Sequence, residues 1–290
     1  MSVRVEVVLL SVGAGFVVLA IDGTRRRSSG GPGHSSRAAT ASCFRAVWDV
    51  CVCRSVRSPR SGATIVAVRF ALVHGTTQSP GGWAPVMQQL QASGHDCVTV
   101  DLGDGRIDAS PQRLAQIASE QIGADPVDAV VAHSGSGLLL PAIAAAVASR
   151  HHIYLAAVIP GGAESFLDEL SAASGTIVQP AWTGVDPTAD PVAAHRFLFH
   201  DCAPDVEEWA LTTLRPFIPI AAYSAVIEPS RASAAVIVPA ADRTLRPDWM
   251  IHAARIRLCV EPHVIADAGH CPHVSRPDEV AALLVEIATD

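Results

Sequence analysis

From about residue 64 to its end, the chain reads as an α/β domain built on a mostly parallel sheet with helices on both faces. Three observations predict it. Short apolar runs rich in β-branched residues alternate with helical segments, and parallel strands need such crossovers. The runs, such as TIVAVRFALV and VDAVVA, are apolar along most of their length, as strands covered on both faces must be. Small and polar residues gather where the runs end, and sheets of this kind bind ligands at the carboxyl ends of their strands.

The elements follow in order. A strand over 64–73 ends at His74-Gly75, and a helix over about 83–92 comes next. Then come a strand around 97–100, a helix over 111–122, a strand over 127–132, a helix over about 136–149 and a strand over 153–158. A long segment from Glu164 to Ser230 interrupts the alternation. It resumes with a strand over 235–238, a helix over 247–254, a strand over 263–266 and a helix over 277–287. An insertion that long between two sheet strands is read as a packed cap over a site rather than a structureless loop. Its Trp182, Phe197, Phe199, Trp209, Leu211 and Phe217 imply an apolar pocket, although any one of them serves equally well as cap core.

The 290 residues, 49% of them hydrophobic and 17% charged, suit one large α/β domain or two ordinary ones. Every basic residue is Arg, which excludes a P-loop lysine, a Schiff-base lysine and attachment of pyridoxal phosphate. Residues 1–60 carry nine Arg against Glu6, Asp22 and Asp49, a net of +6, which leaves −13 on the rest of a chain whose total is −7. A body so acidic argues against a nucleic-acid partner. The seven cysteines are odd in number and irregularly spaced, which favours a reducing, cytoplasmic compartment. Cys51 and Cys53 lack the second pair that a zinc site needs.

Residues 1–61 are read as a leader outside the domain, with the domain itself spanning 62–290. Within the leader, residues 5–21 are apolar apart from Glu6 and Ser11. They form a short candidate membrane anchor followed by Arg25, Arg26 and Arg27, and membrane contact depends on that stretch alone. From Thr24 to Ser61 the Arg, Ser, Gly and Ala composition reads as disorder or as an upstream extension of the reading frame.

Three strand ends carry chemistry. VDAVVAHSGSG places Ser134 on a strand-to-helix turn that exposes its hydroxyl, a nucleophile elbow. Such a turn needs small residues two before and two after the serine, and Ala132 and Ser136 stand there in place of the usual glycines. Asp267-Ala268-Gly269-His270 puts a histidine on the loop after the penultimate element, from which it reaches back as a general base. Asp242 follows the preceding strand and is the group to hold the Nδ1 proton of that histidine, with Asp267 as its rival. The backbone N–H groups of Gly135 and Thr76 are the candidate donors to a developing oxyanion.

These residues resemble the plant methylesterase and hydroxynitrile lyase family of the α/β-hydrolase superfamily, with its bacterial relatives. The match begins near Phe70 with FALVHGTTQSPGGW, similar to the family's opening strand and oxyanion loop. It continues through AHSGSG at the elbow, FLFHDCAPDVEEWALTTLRP in the cap and ADAGHCPHVSRPDEVAALLVEIA at the histidine loop. The resemblance implies an α/β-hydrolase fold with a cap insertion, and an acid where Asp242 stands. It implies no metal or organic cofactor. The lyase branch typically carries a threonine and a lysine where this chain has Gly75 and Cys271, which favours hydrolysis of a small carboxylic ester through an acyl-enzyme. The alternatives are a C–C lyase and a ligand-binding protein without turnover.

Nothing upstream of the first strand is needed to close the sheet, and exposed charge pairs between leader and body contribute only about 0–1 kcal/mol each. A chain starting near Ser61 is therefore expected to be soluble and folded, with unchanged activity. Aggregation of that chain under conditions where the full-length protein stays soluble would make the leader part of the domain.

Overall fold

A computed structural model describes residues 7–11, 16–20, 66–230 and 233–290. The segment expected to be disordered, 24–61, lies outside the described residues. Strands β1 (Val7–Ser11) and β2 (Phe16–Ala20) form a two-stranded sheet within the stretch read as a possible anchor. Among the described residues no helix is long and apolar enough to cross a membrane.

The apolar runs become one six-stranded sheet. Its members are β3 (Arg69–Val73), β4 (Asp96–Val100), β6 (Ala129–His133), β7 (His151–Leu155), β9 (Ala234–Pro239) and β10 (His263–Ile265), in the order β10-β9-β7-β6-β3-β4. All five pairings are parallel. Between β4 and β6 in sequence lies the three-residue strand β5 (Gly105–Ile107), which pairs in parallel with β8 (Phe217–Pro219) from the long segment.

Because the central strands β3, β6, β7 and β9 are apolar on both faces, successive residues feed two cores. Ala71, Val73, Val130, Ala132, Tyr154, Val236 and Val238 pack on one face against α2 (Pro111–Ile122), α3 (Leu140–Ala146) and residues of the long segment. Phe70, Leu72, Ala129, Val131, Ile153, Leu155 and Ile237 pack on the other against α1 (Ala84–Ala92) and the C-terminal helix Pro277–Thr289. The helix α2 begins where its sequence says it must, with Pro111 at its first position and Ser110 Oγ accepting the Arg113 N–H at 3.2 Å.

The long segment holds α4 (Phe166–Ile177), α5 (Pro191–Ala194), α6 (Pro204–Leu211), β8 and α7 (Ile220–Tyr223). After it come α8 (Pro247–Ala253), α9 (Pro272–Ser275) and α10 (Pro277–Thr289). Phe199, Trp209 and Leu211 belong to one cluster within the cap, Phe197 packs edge-on to Trp182 at 5.3 Å, and Phe217 joins the sheet core, edge-on to His74 at 5.1 Å. Of the six apolar residues expected to form a pocket, only Trp182 lines the cavity described below.

Several boundaries shift by one to three residues, the strand expected over 153–158 lying at His151–Leu155, and two further differences have a local cause. The first strand begins at Arg69, since residues 66–68 are extended but unpaired and 64–65 lie outside the described residues. The helix expected from Ser136 is a 3-10 turn, Ser134–Leu138, followed by α3 from Leu140, because the Gly-rich turn resists α geometry and Pro141 suits a first turn. The chain moves to one side of β3 on entering β4 and to the other on entering β6. That reversal opens a crevice at the carboxyl ends of β3 and β6.

Candidate active site

β6 delivers the chain to Ser134 with φ at 55°, a left-handed conformation that costs a non-glycine residue about 1–3 kcal/mol. The neighbours leave it no alternative. The Ser134 carbonyl accepts the Val158 N–H at 3.0 Å, and Ala132 is fully buried. Gly75 approaches from the adjacent strand end, where a Cβ would lie 2.5 Å from His133 Nδ1 and 3.0 Å from Ser134 Cβ. Ser136 is buried and donates its hydroxyl to the His74 carbonyl at 2.6 Å, which ties the elbow to the loop after β3.

The loops after β10 and β9 bring two further groups to the serine. His270 Nε2 stands 3.0 Å from Ser134 Oγ, and His270 Nδ1 stands 2.8 Å from Asp242 Oδ2. Asp267, the rival acid, is exposed and sits in a left-handed turn conformation. The other oxygen of Asp242, Oδ1, accepts the N–H groups of Thr244 at 2.7 Å and Leu245 at 3.1 Å and the Thr244 hydroxyl at 3.0 Å. Thr244 Oγ1 is also 2.7 Å from His270 Nδ1. No sequence signal beyond its nearness to Asp242 marked Thr244.

Thr76 and Gly135 lie side by side on the wall of the cavity that contains Ser134 and His270. The Thr76 backbone is fixed from outside: its carbonyl accepts the Phe217 N–H at 2.8 Å. The same ladder continues with Arg215 N–H to Thr77 C=O at 3.1 Å and Ser79 N–H to Thr213 C=O at 2.8 Å. Arg215 in turn grips Asp101, beyond the end of β4, through its two terminal guanidinium nitrogens at 2.5 and 3.1 Å. That guanidinium holds the Asp101 carboxyl below its ordinary range.

The cap also holds the histidine and acid loops. Asp201 Oδ2 accepts the Gly269 N–H at 2.8 Å and the Ser275 hydroxyl at 2.6 Å, and His200 Nε2 donates to the Ala241 carbonyl at 3.1 Å.

Behind the site lies a buried group of neutral imidazoles. His74 accepts the Leu102 N–H at Nε2 and donates from Nδ1 to the Gly75 carbonyl, and burial pulls its pKa down to about 4. His133 donates from Nε2 to the His270 carbonyl at 3.0 Å, and burial holds its pKa well below the ordinary value. His273 donates to Gln78 Oε1 at 3.0 Å and is pulled down to about 3 by burial. Among the described residues His133, Cys271 and His273 form the one group whose potential metal-ligating atoms lie within 4.8 Å of one another. His133 Nε2 is engaged by the His270 carbonyl, while His133 Nδ1 and His273 Nδ1 are buried without a hydrogen-bond partner. Burial raises the Cys271 thiol well above its usual range.

The cavity encloses about 110 Å³, below the roughly 300–1,000 Å³ of sites for drug-sized ligands. Phe166, Leu170, Val178, Trp182 and Leu245 form its apolar walls, and no Arg lines it.

Comparison with known proteins agrees with this architecture. Residues 70–283 match the alpha/beta hydrolase family, so the chain belongs to that family. No curated protein sequence matches it. Among solved structures it is similar to polyneuridine aldehyde esterase, at 18% identity and a TM-score of 0.65 over 78% of this chain and 100% of that one. It is also similar to a methylesterase from Arabidopsis, at 19% identity and a TM-score of 0.55 over 77% of this chain and 99% of that one. Tomato methylketone synthase I complexed with 2-tridecanone aligns at 17% identity and a TM-score of 0.60, covering 78% and 99% of the two chains. At these identities the likeness shows the shared fold.

The three neutral histidines set an acid limit. Each binds its proton in the unfolded chain near pH 6.5 but resists protonation when folded, so the unfolded state holds more protons below that pH. Their contribution is intact above pH 6.5 and is lost as pH falls toward about 4. Urea unfolding between pH 7.5 and 5 is expected to show stability declining with a slope approaching about 4 kcal/mol per pH unit for the three together. A midpoint that stays level from pH 6.5 to 5 would contradict the buried neutral state.

Proposed function

We propose that this chain is a serine hydrolase that cleaves small, neutral carboxylic esters through an acyl-enzyme intermediate. The observation that carries this reading is the unbroken line of contacts from Ser134 Oγ to His270 Nε2 at 3.0 Å and from His270 Nδ1 to Asp242 Oδ2 at 2.8 Å. In the proposed reaction Ser134 Oγ attacks the ester carbonyl while His270 Nε2 takes its proton. Asp242 accepts the Nδ1–H, which fixes the tautomer and stabilises the imidazolium. The backbone N–H groups of Gly135 and Thr76 receive the developing oxyanion. The proton passes from His270 to the departing alkoxide. Water then repeats the sequence on the acyl-enzyme, and no metal or organic cofactor takes part.

Size and charge support the substrate class. The small apolar cavity suits a short chain or small ring, and no Arg lines it to pair with a free carboxylate. Two observations favour hydrolysis over cyanohydrin cleavage. Gly75 has no room for a side chain, and the residue after His270 is a fully buried cysteine rather than a cation.

Ser134→Ala is expected to lower kcat for p-nitrophenyl acetate by at least about 10³-fold with an unchanged denaturation midpoint. His270→Ala is expected to be about as damaging, and the double variant no worse than either single one, because the groups act as a unit. Steady-state hydrolysis of the three variants checks this, and substantial activity in Ser134→Ala would remove the assignment.

A further inference from the structure

Gly135 follows the proposed nucleophile, and a Cβ built on it would overlap two atoms, the Tyr223 hydroxyl and Thr76 Cγ2. A glycine here therefore lets a phenol hydroxyl from the cap come down between the two residues whose N–H groups form the proposed oxyanion site. Tyr223 is the last residue of α7, and several features place it there. The preceding strand β8 pairs with β5, and the Phe217 N–H is bonded to the Thr76 carbonyl, so the cap's exit is fastened to the loop it overhangs. The Tyr223 ring packs edge-on to Phe166 at 5.7 Å, and the residue is 7% exposed. Its hydroxyl hydrogen-bonds the Thr76 side chain and lines the same cavity as Ser134 and His270.

We infer that Tyr223 is a further catalytic residue of this site, whose hydroxyl donates a third hydrogen bond to the oxyanion beside the Gly135 and Thr76 amides. The inference rests on the esterase reading above. In the unliganded site the hydroxyl has the Thr76 side chain as its partner, and the carbonyl oxygen entering the hole replaces that partner. The bond strengthens as negative charge gathers on the oxygen, so its benefit falls on the transition state. Tyr223 keeps its proton throughout, and the proton leaving Ser134 travels only to His270 and then to the leaving alkoxide. Burial raises the phenol pKa to about 12, so the group stays a donor across the working pH range. No part of the elbow motif signals this residue, which lies 89 positions beyond Ser134 in the chain.

The test compares the full-length chain with Tyr223→Phe, which keeps the ring and its packing on Phe166. With p-nitrophenyl acetate, kcat is expected to fall about 10²-fold with KM within threefold of the parent. The Ki of phenyl trifluoromethyl ketone, which forms a tetrahedral adduct with the serine, is expected to rise by a similar factor. Gly135→Ala, which displaces the hydroxyl and crowds the Thr76 side chain as well, should cost at least as much. A Tyr223→Phe variant with kcat within twofold of the parent, or one that loses rate only through KM, overturns the inference and leaves the esterase reading standing. A parent chain that neither hydrolyses the ester nor binds the ketone removes both.

Discussion

The left-handed turn at Ser134 is the constraint on which the rest of the site depends. Its φ of 55° is tolerated because tertiary packing holds it from three sides. β6 is clamped between β3 and β7, the Ser134 carbonyl is tied to Val158, and Ser136 is tied to the His74 carbonyl. Each of these contacts also sets something else in the site. The bond from Ser136 fixes the loop carrying Thr76, and the absence of a side chain at Gly75 lets that loop lie against Ser134. The departure from glycine at the second position after the serine thus has a structural use, since its hydroxyl makes a bond that glycine cannot.

The cap does more than cover a cavity. Residues 200 and 201 hold the acid and histidine loops, and residues 213–217 run beside the loop after β3, with Arg215 anchored on Asp101. At about 1 kcal/mol net per hydrogen bond, and more where a charge takes part, these contacts are comparable to a sizeable share of a domain's stability. Cap docking and site geometry are therefore coupled. Loosening the cap would release the loops carrying His270, Asp242 and Thr76 together.

The strand ends were legible in the sequence because their chemistry is local. HSGSG, the aspartate after AAVIVPAA and the histidine in DAGH each stand beside the apolar run that positions them, and the structure brings Ser134, Asp242 and His270 into contact. Partners drawn from distant parts of the chain left no such trace. Asp201 meets Gly269 across 68 residues and Arg215 meets Asp101 across 114, and neither pairing has a local signature. Thr244 and Tyr223 were missed for the same reason. The strands β5 and β8 span three residues each, too few for any periodicity to register. The aromatic residues named for the pocket misled in the other direction, because Phe199 and Trp209 pack within the cap and Phe217 in the sheet core, while Phe166, Leu170 and Val178 line the cavity beside Trp182.

All of this converges on one atom, Ser134 Oγ, held in a strained turn within reach of the His270 imidazole. The most direct measurement is to label the full-length protein with a fluorophosphonate and map the adduct by peptide mass spectrometry. The account predicts one modified residue, Ser134, and no adduct after His270→Ala over the same exposure. Modification at Ser136 or at any other serine, or an unlabelled native protein, would contradict it.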